Sequence, residues 1–280
     1  MSDPSWADFV AGFEIFRDPL LCAGVAGLVL GFLGVFVVLR RMVFVTATLS
    51  QSAGLGVALA FYAQIHLGWA LDPVLGAIAL ALAAAGVFAL EPSKLRLSRE
   101  SILGVSYITA GALVVLVGDR ISQEAHEISA IVFGTAVLVR FSDLVLVLVV
   151  GGAITLLHLV AHRGFVFASF DPEGARVQGV PVRALDLALW GSLALMVAVA
   201  TRALGVLPVF AFAVIPAMTA LLLGAAMRVT LVVAAVLGAT AALVGYVVAF
   251  LWSFPVGATQ AGVAAALFVV AALLRRLRPA

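Results

Sequence analysis

Nine stretches of the chain are apolar over lengths that suit a bilayer: 19–39, 42–64, 70–90, 101–118, 142–161, 183–203, 205–224, 229–252 and 257–274. A crossing helix takes about 20 such residues. None of the nine alternates apolar with polar residues as a barrel strand would, and lipid leaves an open backbone unsatisfied. Helices are therefore predicted throughout. Residues 128–140 are apolar but short, which predicts a re-entrant or interfacial helix. Pro208 and Pro216 interrupt the 205–224 run, and eight crossings would follow if two of the closely spaced runs were broken half-helices. The expected fold is an all-α polytopic membrane protein of eight to nine transmembrane helices. It forms one domain over 1–280, with a first group of helices at 19–161, a loop at 162–182 and a second group at 183–275. Gly27 and Gly31, extended by Gly24 and Gly34, form a small-residue stripe that predicts close helix packing.

Composition agrees. Of 280 residues 65% are hydrophobic and 11% charged, against about 25% charged in soluble domains. Lipid must solvate much of such a surface. The net charge of +2 leaves no patch for nucleic acid. The single cysteine, Cys22, excludes an intrachain disulfide framework and a cysteine metal cage. Segment 1–19 lacks a basic region followed by an apolar stretch and a cleavage site, so the first membrane helix is expected to direct targeting.

Lys and Arg set the orientation. One set of loops holds Arg40, Arg41, Lys94, Arg96, Arg99, Arg163, Arg176, Arg183, Arg228, Arg275, Arg276 and Arg278, twelve of the sixteen. The other holds Arg17, Arg120, Arg140 and Arg202. With nine crossings this predicts a cytoplasmic C-terminus and an N-terminus outside.

The only lysine is Lys94, and no glycine-rich phosphate loop precedes it. A Walker A site needs both, so the chain is not expected to be an enzyme, to hold catalytic residues or to bind a cofactor of its own. Asp72, Asp143 and Asp186 stand at the starts of apolar runs, where carboxylates cap helices or meet the interface. Without a deep carboxylate, a self-sufficient ion-coupled transporter is disfavoured. His158 and His162 share the i, i+4 spacing of a zinc pair, but a third ligand is missing and a structural role is expected. Glu124, His126 and Glu127 could receive a cation, although a solvated loop is the plainer reading. His66 and Trp69 read as an interface anchor.

The loop at 162–182 carries a well-capped helix. Asp171 suits the N-cap, Pro172 the first helical position and Gly179 the stop. Glu173 near its start and Arg176 near its end complement the helix dipole.

The segment FDPEGARVQGVPVRALDL resembles the coupling-helix segment of permeases in ABC-type zinc and manganese importers. Five further stretches match in order: GFLGVFVVLRRMVFVTATLSQSAGLGVAL, SILGVSYITAGALVVLV, SAIVFGTAVLVRFSDL, GVLPVFAFAVIPAMTALLL and FPVGATQAGVAAALF. Together they span about residues 20 to 275. The resemblance implies a homodimer in a bacterial inner membrane, seated on ABC ATPase subunits, which bind and hydrolyse ATP. An extracytoplasmic solute-binding protein would deliver a divalent metal ion, zinc or manganese. Asp171, Glu173, Gly174, Ala175, Arg176 and Gly179 would then couple the ATPase to the bundle.

The chain departs from the family in its second membrane segment. The family pattern Gly-Asp-x-Leu-x-His places a carboxylate and an imidazole on one helical face. Here Ala47 stands for the Asp and Gln51 for the His. Alanine has no ligand, and glutamine offers only a neutral carbonyl oxygen. Thr48, Gln51 and Ser52 share a face by i, i+3 and i+4 spacing and remain as candidate pathway residues without a defined metal site. The alternatives are a permease of similar architecture for a metal chelate or small neutral solute, or a non-transporting membrane scaffold or channel.

Overall fold

A computed structural model describes residues 5–89, 98–121 and 139–277. Its elements are α1 (Trp6–Ala11), α2 (Phe13–Leu39), α3 (Val43–Tyr62), α4 (Pro73–Ala89), α5 (Arg99–Ile121), α6 (Phe141–Val160), α7 (His162–Phe170), α8 (Pro172–Val177), α9 (Val182–Leu204), α10 (Val206–Leu222), α11 (Met227–Leu251) and α12 (Val256–Leu277). A π-helical turn, Ala63–Leu67, continues α3. Seven of the described helices are long and apolar enough to cross a membrane. With the shorter apolar helices α4 and α10 they account for all nine apolar runs, and the protein is a polytopic all-α membrane protein. Pro208 and Pro216 do not divide α10, which runs unbroken from Val206 to Leu222. Most of the re-entrant helix expected at 128–140 lies outside the described residues, as do Lys94, Glu124, His126 and Glu127.

Helix α2 is the hub, packed on α11, α10, α6 and α9. Apolar helices gain little by leaving lipid for one another, so association in a bilayer relies on close backbone approach. The glycine stripe supplies it. A methyl group at Gly27 or Gly31 would strike the carbonyl of Gly238 or Ala234 on α11, and one at Gly34 would strike the Ala213 carbonyl on α10. Gly56 and Gly76 bring α3 and α4 together in the same way. Cα-to-backbone contact of this kind leaves no room for any other residue.

These contacts also give the helix directions. Gly27 and Gly31 meet Gly238 and Ala234 in reverse order, so α2 and α11 are antiparallel. Gly151 lies against Val29, and His158 lies near Phe36, so α2 and α6 run in the same direction. Asp143 at the start of α6 faces Arg202 at the end of α9 at 3.9 Å. At the opposite end Arg40 meets Asp186 near the start of α9. These relations put α2 and α6 in one direction and α9 and α11 in the other.

Helix α1 lies across the end of the bundle opposite Arg40. Its Phe9 packs edge-on against Phe250 at the end of α11, with centroids 5.2 Å apart. Ser5 and Asp8 form a capping box, and Ser5 hydrogen bonds hold the Asp8 carboxyl below its ordinary pKa.

Candidate functional site

The polar segment of α3 divides between two faces. Thr48 is fully buried, and its hydroxyl lies 2.9 Å from the Phe44 carbonyl and 3.2 Å from the Leu103 carbonyl on α5. The side chain therefore pins α3 to α5. Gln51 and Ser52 are half-buried, and the Gln51 amide lies over Gly111 of α5. Of the three candidate pathway residues, Gln51 and Ser52 keep some access while Thr48 is consumed in packing.

On the other side of α3, Thr46 and Ser50 are completely enclosed, and their hydroxyl oxygens have no hydrogen-bond partner. Their i, i+4 spacing was the available signal, but sequence alone does not tell a face turned inward from one turned toward a neighbour. Ala47 is buried as well. Among the described residues, no group of three or more His, Cys, Asp or Glu side chains could hold a metal ion. The acids at the helix starts have local work. Asp72 accepts from Val74 N at 2.7 Å, and Asp143 accepts from Arg140 N at 3.0 Å.

His158 and His162 do not share a continuous helix, because α6 ends at Val160 and α7 begins after Ala161. The His158 ring is fully buried and stacked on Phe165 at 4.2 Å, with Nδ1 2.9 Å from the Ile154 carbonyl. Phe32 and Phe36 complete an aromatic enclosure around it. This is a packing role, as the missing third ligand suggested.

Helix α8 has the capped geometry predicted for 171–179. Gly174 N donates to Asp171 Oδ1 at 2.8 Å, and Pro172 occupies the first turn. Gly179 sits at φ +77°, in the region glycine favours, and Val180 N donates to the Ala175 carbonyl at 2.9 Å to close the end. A methyl group at Gly174 would enter the Asp171 carboxylate. Ala175 is fully buried and rests with Ala168 on α7 and Val182 at the start of α9. Glu173 and Arg176 face outward. Beside them stand two exposed apolar side chains that sequence reasoning did not single out, Phe170 and Val177, the latter 89% exposed. A short rigid helix thus presents a mixed apolar and charged surface away from the bundle.

A bundle of apolar helices with small-residue packing and one capped helix at one end defines a multi-pass membrane protein. The chain matches the sequence profile of the ABC 3 transport family over residues 12–275 and belongs to that family. It is 26% identical to the manganese transport system membrane protein MntC of Halalkalibacterium halodurans over 94% of this chain and 88% of that protein. It is equally 26% identical to the chelated iron transport system membrane protein YfeD of Yersinia pestis, over 95% of this chain and 88% of that one. Among solved structures it resembles a chain of PsaBC from Streptococcus pneumoniae in complex with Fab, with TM-score 0.83, 27% identity and 95% of each chain covered. The family resemblance read from the sequence is therefore correct, and the relatives are permease subunits of transporters.

Proposed function

We propose that this chain is the membrane-spanning subunit of an ABC importer for a divalent metal ion, manganese or zinc. A solute-binding protein delivers the ion from outside, and ATP hydrolysis in a partner subunit drives its passage. The observation that carries this reading is the family match over nearly the whole chain. The names of the relatives, manganese transport among them, support the cargo. Helix α8 meets the partner ATPase through Glu173, Arg176 and its exposed apolar neighbours, while Asp171, Gly174, Ala175 and Gly179 hold its shape. The positive-inside count supports a cytoplasmic position for α8 and the C-terminus.

Two copies enclose one path. Tyr107 and Thr109 are exposed on α5, a spanning helix, and Tyr107 lies one turn from Gly111 beside Gln51. Polar groups on a membrane helix favour a protein neighbour over lipid, which supports a second copy against this side. Ions pass Gln51 and Ser52 with weak, transient coordination, so selectivity rests with the binding protein.

Ala47 and Gln51 favour a second reading, in which a metal chelate is the cargo, since neutral donors hold a bare divalent ion poorly. ATPase stimulation of the reconstituted complex by its binding protein, loaded in turn with manganese, zinc or a ferric chelate, separates the two. Stimulation by a bare ion supports the leading reading. Stimulation by the chelate alone replaces it.

A further inference from the structure

Both flanks of α8 converge on the side chain of Arg40, which caps the end of α2. Arg40 Nε donates to Ser169 Oγ at 3.1 Å, and Ser169 lies just before α8. Arg40 Nη1 pairs with Asp186, in the second turn of α9 just after α8. Ser169 in turn donates to the Phe165 carbonyl at 2.6 Å. The Arg40 side chain is 10% exposed and that of Asp186 35%, so the guanidinium is enclosed while the carboxylate keeps some water.

The rest of the segment forms one body. Ala168, Ala175 and Val182 make a small apolar cluster separate from the main core, joining α7, α8 and the start of α9. Phe165 anchors this body by stacking on His158 and lying 5.9 Å from Phe36. The anchor is apolar, whereas a bridged guanidinium is directional.

Two further features bear on Arg40, the first shared with Arg202 of the other ion pair, whose Nε is likewise buried without a partner. Arg40 Nη2 is buried with no acceptor, although buried donors are nearly always satisfied. The next residue, Arg41, sits at φ +56°, where glycine is the usual resident, and Met42 N donates to the Val37 carbonyl at 3.0 Å to close the turn. Backbone strain of this kind persists where the surroundings over-determine it, and here it fixes the end of α2 that carries Arg40.

We propose that Arg40 is the positioning residue that passes movement of the α7–α8 segment into α2 and α9, by holding both flanks of α8 in one guanidinium. The proposal deepens the importer reading and rests on it. When a partner pushes α8, Ser169 and Asp186 move together, and the end of α2 must follow or Arg40 loses both acceptors. Because α2 is in backbone contact with α10 and α11, its displacement reaches the centre of the bundle.

The test uses the complex of this chain with its ATPase and binding protein in vesicles, with manganese uptake and ATP hydrolysis read together. Arg40→Gln is expected to leave assembly and hydrolysis intact and lower ions moved per ATP about tenfold, the scale of a lost charge-assisted hydrogen bond. Arg40→Asp with Asp186→Arg is expected to restore the pairing with α9 without the bond from residue 40 to Ser169, and so to recover only part of that ratio. Asp186→Asn, at the wetter partner, carries the test if Arg40→Gln fails to assemble. A second readout is independent of cargo. ATP should change the labelling rate of Leu39→Cys on α2 and of Val177→Cys on α8, and Arg40→Gln should abolish the first response only. An unchanged transport ratio in an assembled Arg40→Gln or Asp186→Asn complex, or an unchanged Leu39→Cys response with Arg40→Gln, overturns the proposal. A wild-type complex that moves no manganese sinks the cargo reading instead, while the labelling still judges Arg40.

Discussion

At Gly34 one methyl group decides whether α2 can keep its place, because the added carbon would overlap the Ala213 carbonyl. Gly34→Ala should therefore destabilise the bundle by about 1–3 kcal/mol, the usual cost of overpacking. Gly152 is the control, since nothing lies within 4 Å of an added methyl there. Gly152→Ala should match or slightly exceed the wild type in thermal unfolding followed in detergent. The polar face of α3 is judged similarly. Gln51→Ala should reduce uptake about threefold, in line with the modest worth of a single polar contact between membrane helices. Ala47→Asp with Gln51→His should create a metal-binding pair that calorimetry detects and that slows release of the ion. If Gln51→Ala leaves uptake unchanged and the double variant gains no metal affinity, this face does not line the path.

Among the elements, α8 is the one whose integrity should matter most for coupling. Asp171→Ala removes the cap, at about 1 kcal/mol for a short helix, and should weaken ATPase stimulation by the binding protein. Gly174→Val with Ala175→Leu puts one side chain into the Asp171 carboxylate and another into the Ala168–Val182 cluster. Membrane insertion should survive, and stimulation should vanish. Unaltered stimulation in that variant would detach α8 from the ATPase. This helix was legible in the sequence because capping is local: Asp171, Pro172 and Gly179 act within one or two turns. The nine apolar runs were legible for the same reason, since length and hydropathy alone decide what lipid accepts. The break at Ala161 was not, because α6 and the amphipathic α7 join without a proline or glycine between them. Nor was the role of Thr48, whose partner Leu103 is 55 residues away, nor the bridge from Arg40 to Asp186 across 146 residues. Long-range pairings of this kind depend on how helices are arranged around α2, which no local pattern encodes.

For the whole molecule, the two ion pairs at opposite ends of α9 mark the two faces of the membrane. Arg40, Ser169, Asp186 and α8 gather at the end rich in Lys and Arg, while Asp143, Arg202 and the Phe9–Phe250 contact stand at the other. Cysteines introduced along the Tyr107 side of α5 should crosslink between two copies in the membrane. Crosslinks confined to α12 would place the interface elsewhere. The central claim is that ATP hydrolysed by a partner moves a metal ion through this bundle by way of α8. Uptake of radiolabelled manganese into vesicles holding the complete complex tests it most directly. Uptake is expected to require ATP and the binding protein, and to disappear with Gly174→Val and Ala175→Leu while the complex stays assembled. Manganese uptake that proceeds without ATP, or that persists undiminished in that variant, would contradict it.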